Sequence, residues 1–266
     1  MDNRPIGIFD SGVGGLTVVK EVFKALPNEK IVYLGDTARV PYGTKSSETI
    51  KRFSIENADF LKRFKVKLII VACNTASSIS LPVLRKKLRI PVVGVIKPGA
   101  RKAVETTKNS RVGVIGTFTT IKSRAYEKEI SQISRHIKVK SIACPLFVPL
   151  AEEAWLSDVI TRDIAKRYLK PFLNSRIDTL VLGCTHYPLL KNVISKVVGK
   201  KVTIIDSASS VAEEVAGILK ENNMLSSSTN KPRHMFFATD AVEQFVKTGE
   251  KFLGRKIDKV RRADHV

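Results

Sequence analysis

The 266-residue chain has only three cysteines, and none of them stands in C-x-x-C spacing. That excludes a disulfide scaffold and a zinc knuckle, and it fits a reducing compartment. No H-x-x-x-H pair or Cys/His cluster appears, so no metal site is expected. No apolar run approaches the roughly 18–20 residues that cross a bilayer, so no membrane association is expected. The first residues, Met1-Asp2-Asn3-Arg4-Pro5, lack a charged-then-apolar leader. A cytoplasmic protein is the expectation. Acidic residues are also scarce: 25 Asp and Glu stand against 46 Lys and Arg, a formal charge of +21. The basic residues are dispersed and carry no aromatic interleaving, and no helix-turn-helix or RNP pattern accompanies them. The charge therefore reads as solvated helix faces with nonspecific polyanion affinity, not as a nucleic-acid site. The densest basic stretch, Lys251 to Arg262, reads as a tail able to stick to anions.

What is present is alternation. Short β-branched runs read as buried strands: Ile6–Phe9, Ile31–Leu34, Leu68–Val71, Val92–Val95, Val112–Ile115, Thr179–Leu182 and Val202–Ile205. Segments between them, such as Ser47–Phe64 and Asp158–Leu173, carry apolar residues at helical spacing. Strand–helix alternation implies an α/β fold with mostly parallel sheets flanked by helices. Two segments recur in the same order. Ile6-Gly7-Ile8-Phe9-Asp10-Ser11 is echoed by Val112-Gly113-Val114-Ile115-Gly116-Thr117, and Leu68–Val71-Ala72-Cys73-Asn74-Thr75 by Thr179–Leu182-Gly183-Cys184-Thr185-His186. The repetition implies two similar lobes. The expected division is residues 1–97 plus 207–266 on the Cys73 side, and 98–206 on the Cys184 side. Pro98-Gly99 marks the expected crossing point. A last strand is expected near Met235-Phe236-Phe237.

Ligands of open parallel sheets bind at the carboxyl ends of strands. The polar residues stepping off these strands are Asp10-Ser11, Asp36-Thr37, Cys73-Asn74-Thr75, Thr117 and Cys184-Thr185-His186. Asp10–Gly15 is not a nucleotide loop: Thr17 stands where G-x-G-x-x-G needs its last glycine, and no Walker G-K-[ST] follows. Its glycines allow close backbone approach and open a helix from Gly15. Cys73 and Cys184 occupy matching positions in the two lobes, which favours paired chemistry over two coincidental buried thiols. Position 79 is Ile, so a phosphatase cysteine–arginine loop is excluded, and no Gly-x-Ser-x-Gly elbow is present. Asp10 and His186 are candidates to tune the two thiols, since a free thiol titrates near 8.5 and needs help to ionise. Cys144 has no counterpart and reads as packing, while His136, His234 and His265 lack such a setting.

These motifs resemble the cofactor-independent aspartate/glutamate racemase superfamily, and within it the bacterial glutamate racemases. The likeness runs from Ile6 to about Ala216. It is densest in Gly7–Thr17, Gly35–Gly43, Ala72–Ala76 and Leu182–Pro188. The resemblance implies two facing α/β domains with the active site between them, and interconversion of L- and D-glutamate without any cofactor, supplying D-glutamate for peptidoglycan. It implies that Cys73 takes the proton from D-glutamate and Cys184 from L-glutamate. Asp10, Ser11, Tyr42, Gly43, Asn74, Thr75, Thr185 and His186 match its substrate contacts, and Asp36, Thr117 and Glu152 its auxiliary polar positions. The family's acidic position usually runs on toward a glycine, whereas here it reads Glu152-Glu153-Ala154-Trp155. Glu152 is favoured over Glu153 by its spacing after Cys144-Pro145 and Pro149. An aspartate racemase on the same scaffold is the alternative enzyme. A homodimer is compatible with the sequence, which does not set the oligomeric state.

Overall fold

In the computed structural model residues 1–264 are described, so His265 lies outside the described residues. The first sheet begins with β1 (Ile6–Asp10), α1 (Leu16–Ala25), β2 (Ile31–Gly35), α2 (Ser47–Lys62), β3 (Leu68–Val71), α3 (Asn74–Lys87) and β4 (Val92–Gly94). Helix α4 (Ile96–Thr106) leads into a second sheet, made of β5 (Arg111–Gly116), β6 (Lys138–Ala143), β7 (Thr179–Gly183) and β8 (Thr203–Asp206). Around it lie α5 (Phe118–Ser123), α6 (Ala125–Ile133), α7 (Phe147–Glu152), α8 (Val159–Leu173) and α9 (Lys191–Val198). Helix α10 (Ser207–Glu221) carries the chain back, and β9 (Met235–Ala238), α11 (Val242–Leu253) and β10 (Val260–Arg262) follow. The sheet orders are β10-β9-β2-β1-β3-β4 and β6-β5-β7-β8, with every pairing among the described residues parallel.

The central strands are β-branched because both of their faces are covered. β1, β2, β3 and β7 are buried at every position. A run without polar alternation can only sit between two helical layers. The register then sets the site. Asp10 pairs with Gly35, Phe9 with Val71, and Gly116 with Gly183. The residues that follow these strands therefore leave each sheet at one level.

Two features depart from the sequence reading. The edge strand β6 was not expected. Its run Lys138-Val139-Lys140-Ser141-Ile142-Ala143 mixes polar with apolar residues, is exposed or half-buried throughout, as an edge is, and lacks the solid apolar core of the others. Much of the basic stretch that read as a tail is ordered: Lys251 to Leu253 end α11, and Val260–Arg262 form the other edge strand beside β9. Arginines on an exposed edge discourage pairing with a further strand. Pro98-Gly99, the expected crossing point, lies in the first turn of α4, the helix that leads from one sheet to the other, where proline's missing N–H costs no helical bond.

At the strand ends remote from the cysteines lies a buried ion pair, Lys67 Nζ to Glu29 Oε2 at 2.6 Å, with side chains 0% and 2% exposed. Lys67 also donates to the carbonyls of Asp2 and Met224, each at 2.6 Å, and Glu29 Oε1 accepts from Ser226 N at 2.8 Å. One ammonium thus pins the N-terminus and the loop after α10 to the sheet. Removing one partner strands a charge in a dry site. Lys67→Met should lower the unfolding free energy by about 3–5 kcal/mol. Urea denaturation should show an earlier midpoint with unchanged slope, and an unchanged midpoint would refute the account.

Candidate active site

The two cysteines end corresponding strands of the two sheets. Cys73 follows β3 and occupies the N-cap position of α3. Cys184 follows β7, but no α-helix starts directly behind it. A turn and a 3-10 segment, Tyr187–Leu190, precede α9. An α-helix N-terminus therefore stands directly behind the cysteine only on the Cys73 side. Both thiols are 6% exposed, and Cys144 is fully buried. Tyr187 donates to the Cys144 carbonyl at 2.8 Å, a packing arrangement.

The lobes meet through the glycine-rich loop. At Gly14 a Cβ would come within 2.4 Å of Thr185 Oγ1 and 2.6 Å of the His186 ring. Only hydrogen fits, which is why the loop carries glycine here. Thr17 Oγ1 adds a bond to the Thr185 carbonyl at 3.2 Å. Asp10 is fully buried and accepts from Gly12 N at 3.0 Å and from Thr185 Oγ1 at 3.3 Å. A second contact joins Gly43 to Thr117: Thr119 Oγ1 donates to the Gly43 carbonyl at 2.8 Å. Thr75 Oγ1 lies 2.8 Å from Thr117 Oγ1 and 3.3 Å from Thr120 Oγ1, so three hydroxyls from two lobes form one cluster. Thr120 was missed in the sequence, although its i+3 spacing from the N-cap Thr117 signalled it.

The thiols sit in unlike electrostatic settings. Burial pushes the Cys73 thiol up to about 12, and the Asp10 carboxylate adds to it. The Ala76 amide and the Ser11 hydroxyl, 3.7 Å from Sγ, pull the other way without prevailing. Asp10 therefore does not favour an ionised Cys73 here. Its own carboxyl is raised by burial, which the His186 charge opposes. On the other side His186 Nδ1 is 3.9 Å from Cys184 Sγ, and its Nε2 is 2.9 Å from Glu152 Oε1. Burial disfavours the charged ring, but Cys184 and Glu152 outweigh it and hold His186 up to about 10. Glu152, at the end of α7, is thus the glutamate that reaches the site. Phe252 of α11 covers the ring edge-on, with centroids 5.2 Å apart. That contact was invisible in sequence because the C-terminal helix arrives from the far end of the chain.

Asp36 and Tyr42 do not join this group through their side chains. Asp36 accepts from the Tyr42 hydroxyl, from Arg39 Nε at 2.7 Å and from Thr239 Oγ1 at 3.2 Å. The Tyr42 oxygen also accepts from Asn57 Nδ2 at 3.0 Å. This network braces the 36–44 segment from behind, so any substrate contact from Tyr42 is left to its backbone. Among the described residues no cluster of three or more His, Cys, Asp or Glu is placed to hold a metal ion.

Two lobes of parallel sheet, with a thiol at the end of a strand in each, define a racemase-like α/β enzyme. A sequence model of the Asp/Glu/Hydantoin racemase family matches residues 6–215, and the chain belongs to that family. It is an isomerase of the glutamate racemase type. Over 257 residues it is 52% identical to a glutamate racemase of Geobacter metallireducens, covering 97% of this chain and 95% of the relative. A crystal structure of a Bacillus anthracis glutamate racemase isoform superposes with a TM-score of 0.96 at 44% identity, covering 99% of this chain and 98% of the other. A Francisella tularensis glutamate racemase in complex with D-glutamate gives 0.93 at 41% identity, with the same coverage. An aspartate racemase homologue of Pyrococcus horikoshii shares the fold at 18% identity, with a TM-score of 0.57 over 82% of this chain and 99% of the other.

The His186 contacts set a pH dependence. A ring favoured in its charged form stabilises the fold fully below its ordinary value of 6.5, and that contribution is lost as pH rises through about 10. In 15N spectra His186 should stay doubly protonated through neutral pH, and Glu152→Gln should move its midpoint downward. A wild-type midpoint at or below 6.5 would contradict the arrangement.

Proposed function

We propose that the protein interconverts L- and D-glutamate by a two-base mechanism in which Cys73 and Cys184 act on opposite faces of the α-carbon. The observation that carries this reading is the pair of nearly buried thiols at matching strand ends of two lobes. Each is followed by hydroxyl or amide side chains suited to a carboxylate. Racemisation breaks the α-C–H bond on one face and forms it on the other, so two opposed bases suit it better than one. In the ligand-free protein a charged His186 lies against Cys184 while Cys73 is held as a thiol. With L-glutamate, Cys184 is the base that takes the α-proton and the Cys73 thiol returns one to the other face. With D-glutamate the roles reverse.

The carbanion's charge spreads onto the α-carboxylate. In this reading the backbone N–H groups of the first turn of α3, with Thr75 and Thr185, stabilise it, while the Asn74 amide holds the carboxylate equally in substrate and intermediate. Donors that strengthen as charge builds lower the barrier more than they tighten substrate binding. Closed lobes keep water from the intermediate. Ser11 and the Gly43 backbone complete the substrate contacts in this reading, and Glu152 and Asp10 act on His186 and Thr185. No pyridoxal phosphate, metal or nucleotide enters the scheme. D-glutamate for peptidoglycan synthesis in the cytoplasm is the proposed role. The glutamate relatives, at 41–52% identity, favour it over the aspartate reading.

Circular dichroism of either glutamate enantiomer, run in D₂O, tests the reaction: optical activity should vanish and the enantiomer formed should carry α-deuterium. Cys73→Ser and Cys184→Ser should each lose racemisation by about 10²–10⁴-fold or more, since serine is a far weaker acid. Each variant keeps one thiol. Cys184→Ser should still eliminate a β-leaving group from the D-analogue through Cys73, and Cys73→Ser from the L-analogue through Cys184. Near wild-type racemisation by either variant, or loss of both eliminations in folded variants, would sink the two-thiol mechanism.

The +21 charge is proposed to give nonspecific polyanion affinity unconnected with catalysis. DNA retention should fall steeply between about 50 and 200 mM salt. Racemisation should change far less, because its interactions are short-ranged and partly desolvated. Parallel loss of both on neutralising C-terminal lysines would refute the separation.

A further inference from the structure

Asn74, the residue after Cys73, is 2% exposed, yet its amide nitrogen Nδ2 has no hydrogen-bond partner. Its other end is occupied. Tyr126 donates its phenol proton to Asn74 Oδ1 at 2.7 Å. A carboxamide presents donors at one end and acceptors at the other in nearly the same shape. Unless one end is held, it can turn either toward an anion. A carbonyl oxygen turned toward a carboxylate repels it, whereas an NH2 group binds it.

Tyr126 is placed to decide that orientation from across the cleft. It lies on α6 in the second lobe, 1% exposed, and reaches Asn74 at the start of α3 in the first. Its ring covers Gly183, the residue before Cys184: a Cβ there would come within 3.0 Å of the ring. One side chain thus touches the chain neighbour of each thiol. Ser207, the first residue of α10, lies beside the same phenol oxygen. Helix α10 is one of the two connections between the sheets, so the phenol is anchored where the lobes are joined.

We infer that Tyr126 is a positioning residue for the reaction: by holding Asn74 Oδ1 it turns the Asn74 NH2 group into the cleft as a fixed donor to the substrate carboxylate. The role follows from the geometry of one side chain spanning both cysteine motifs, and it rests on the amino-acid racemase reading above. Because the donor serves a carboxylate present in both ground and transition states, its loss should appear mainly in KM.

The test compares wild type, Tyr126→Phe, Asn74→Ala, the double variant and Asn74→Asp. Tyr126→Phe should raise KM for both enantiomers about tenfold, the scale of one hydrogen bond to a charged group, with a smaller change in kcat. Its melting temperature should stay near that of wild type. The double variant should be no worse than Asn74→Ala, because Tyr126 acts only through that amide. An unchanged KM in Tyr126→Phe, or fully additive effects, would overturn the proposal. Should Tyr126→Phe fail to fold, Asn74→Asp decides. It replaces the NH2 by an oxygen facing the substrate and should raise KM beyond Asn74→Ala; a wild-type KM there would overturn the proposal. The Asn74 side-chain amide signals of ligand-free protein provide a readout independent of the substrate. They should be sharp and distinct in wild type and averaged in Tyr126→Phe. Unchanged signals overturn the positioning role, whereas failure of wild type to racemise glutamate overturns the reaction assignment instead.

Discussion

The contact that the rest of this structure depends on is the one between the Gly14 turn of the first lobe and Thr185-His186 of the second. A single added methyl at Gly14 would overlap both residues. Without that approach the Asp10 carboxylate would lose Thr185, and the two thiols would face water instead of each other's lobe. The contact is polar on both sides. It is tolerable in a dry cleft because almost every buried group there finds a partner across the gap. The notable exception is the Asn74 amide, the group that a carboxylate would satisfy.

The cleft is asymmetric although the lobes resemble one another. On the first-lobe side, burial and a carboxylate oppose ionisation of Cys73. On the second, a Glu152–His186–Cys184 row gathers a positive ring between two acidic groups. Similar backbones thus place two chemically identical side chains in different electrostatic settings. The asymmetry comes from positions where the repeated segments differ, Asp10 against Gly116 and His186 against Thr75, and from side chains outside them: Glu152 from α7 and Phe252 from the C-terminal helix.

Much of the frame was legible because doubly covered parallel strands read as unbroken β-branched runs. β1, β2, β3, β5 and β7 announce themselves in this way, and their carboxyl ends point to Asp10, Cys73, Thr117 and Cys184. β6 and β10 escaped notice because edge strands are short, polar and half exposed, with no pattern to separate them from loops. Tyr42 and Asp36 stood in a recognisable motif, yet motif spacing does not tell which way a side chain turns. Both are spent on bracing the 36–44 segment.

The sequence by itself determined the doubly covered strands, their order of polar ends and the matching positions of the two thiols, since local burial patterns and residue chemistry are written along the chain. The tertiary structure alone decided that Glu152, already favoured by its spacing, bonds to His186, that Asp10 opposes ionisation of Cys73, and that Tyr126 and Thr120 reach Asn74 and Thr75 from the other lobe. Those are contacts between residues far apart in the chain. Their energies depend on burial and on distances of a few ångströms, quantities that exist only once the two sheets have closed on one another.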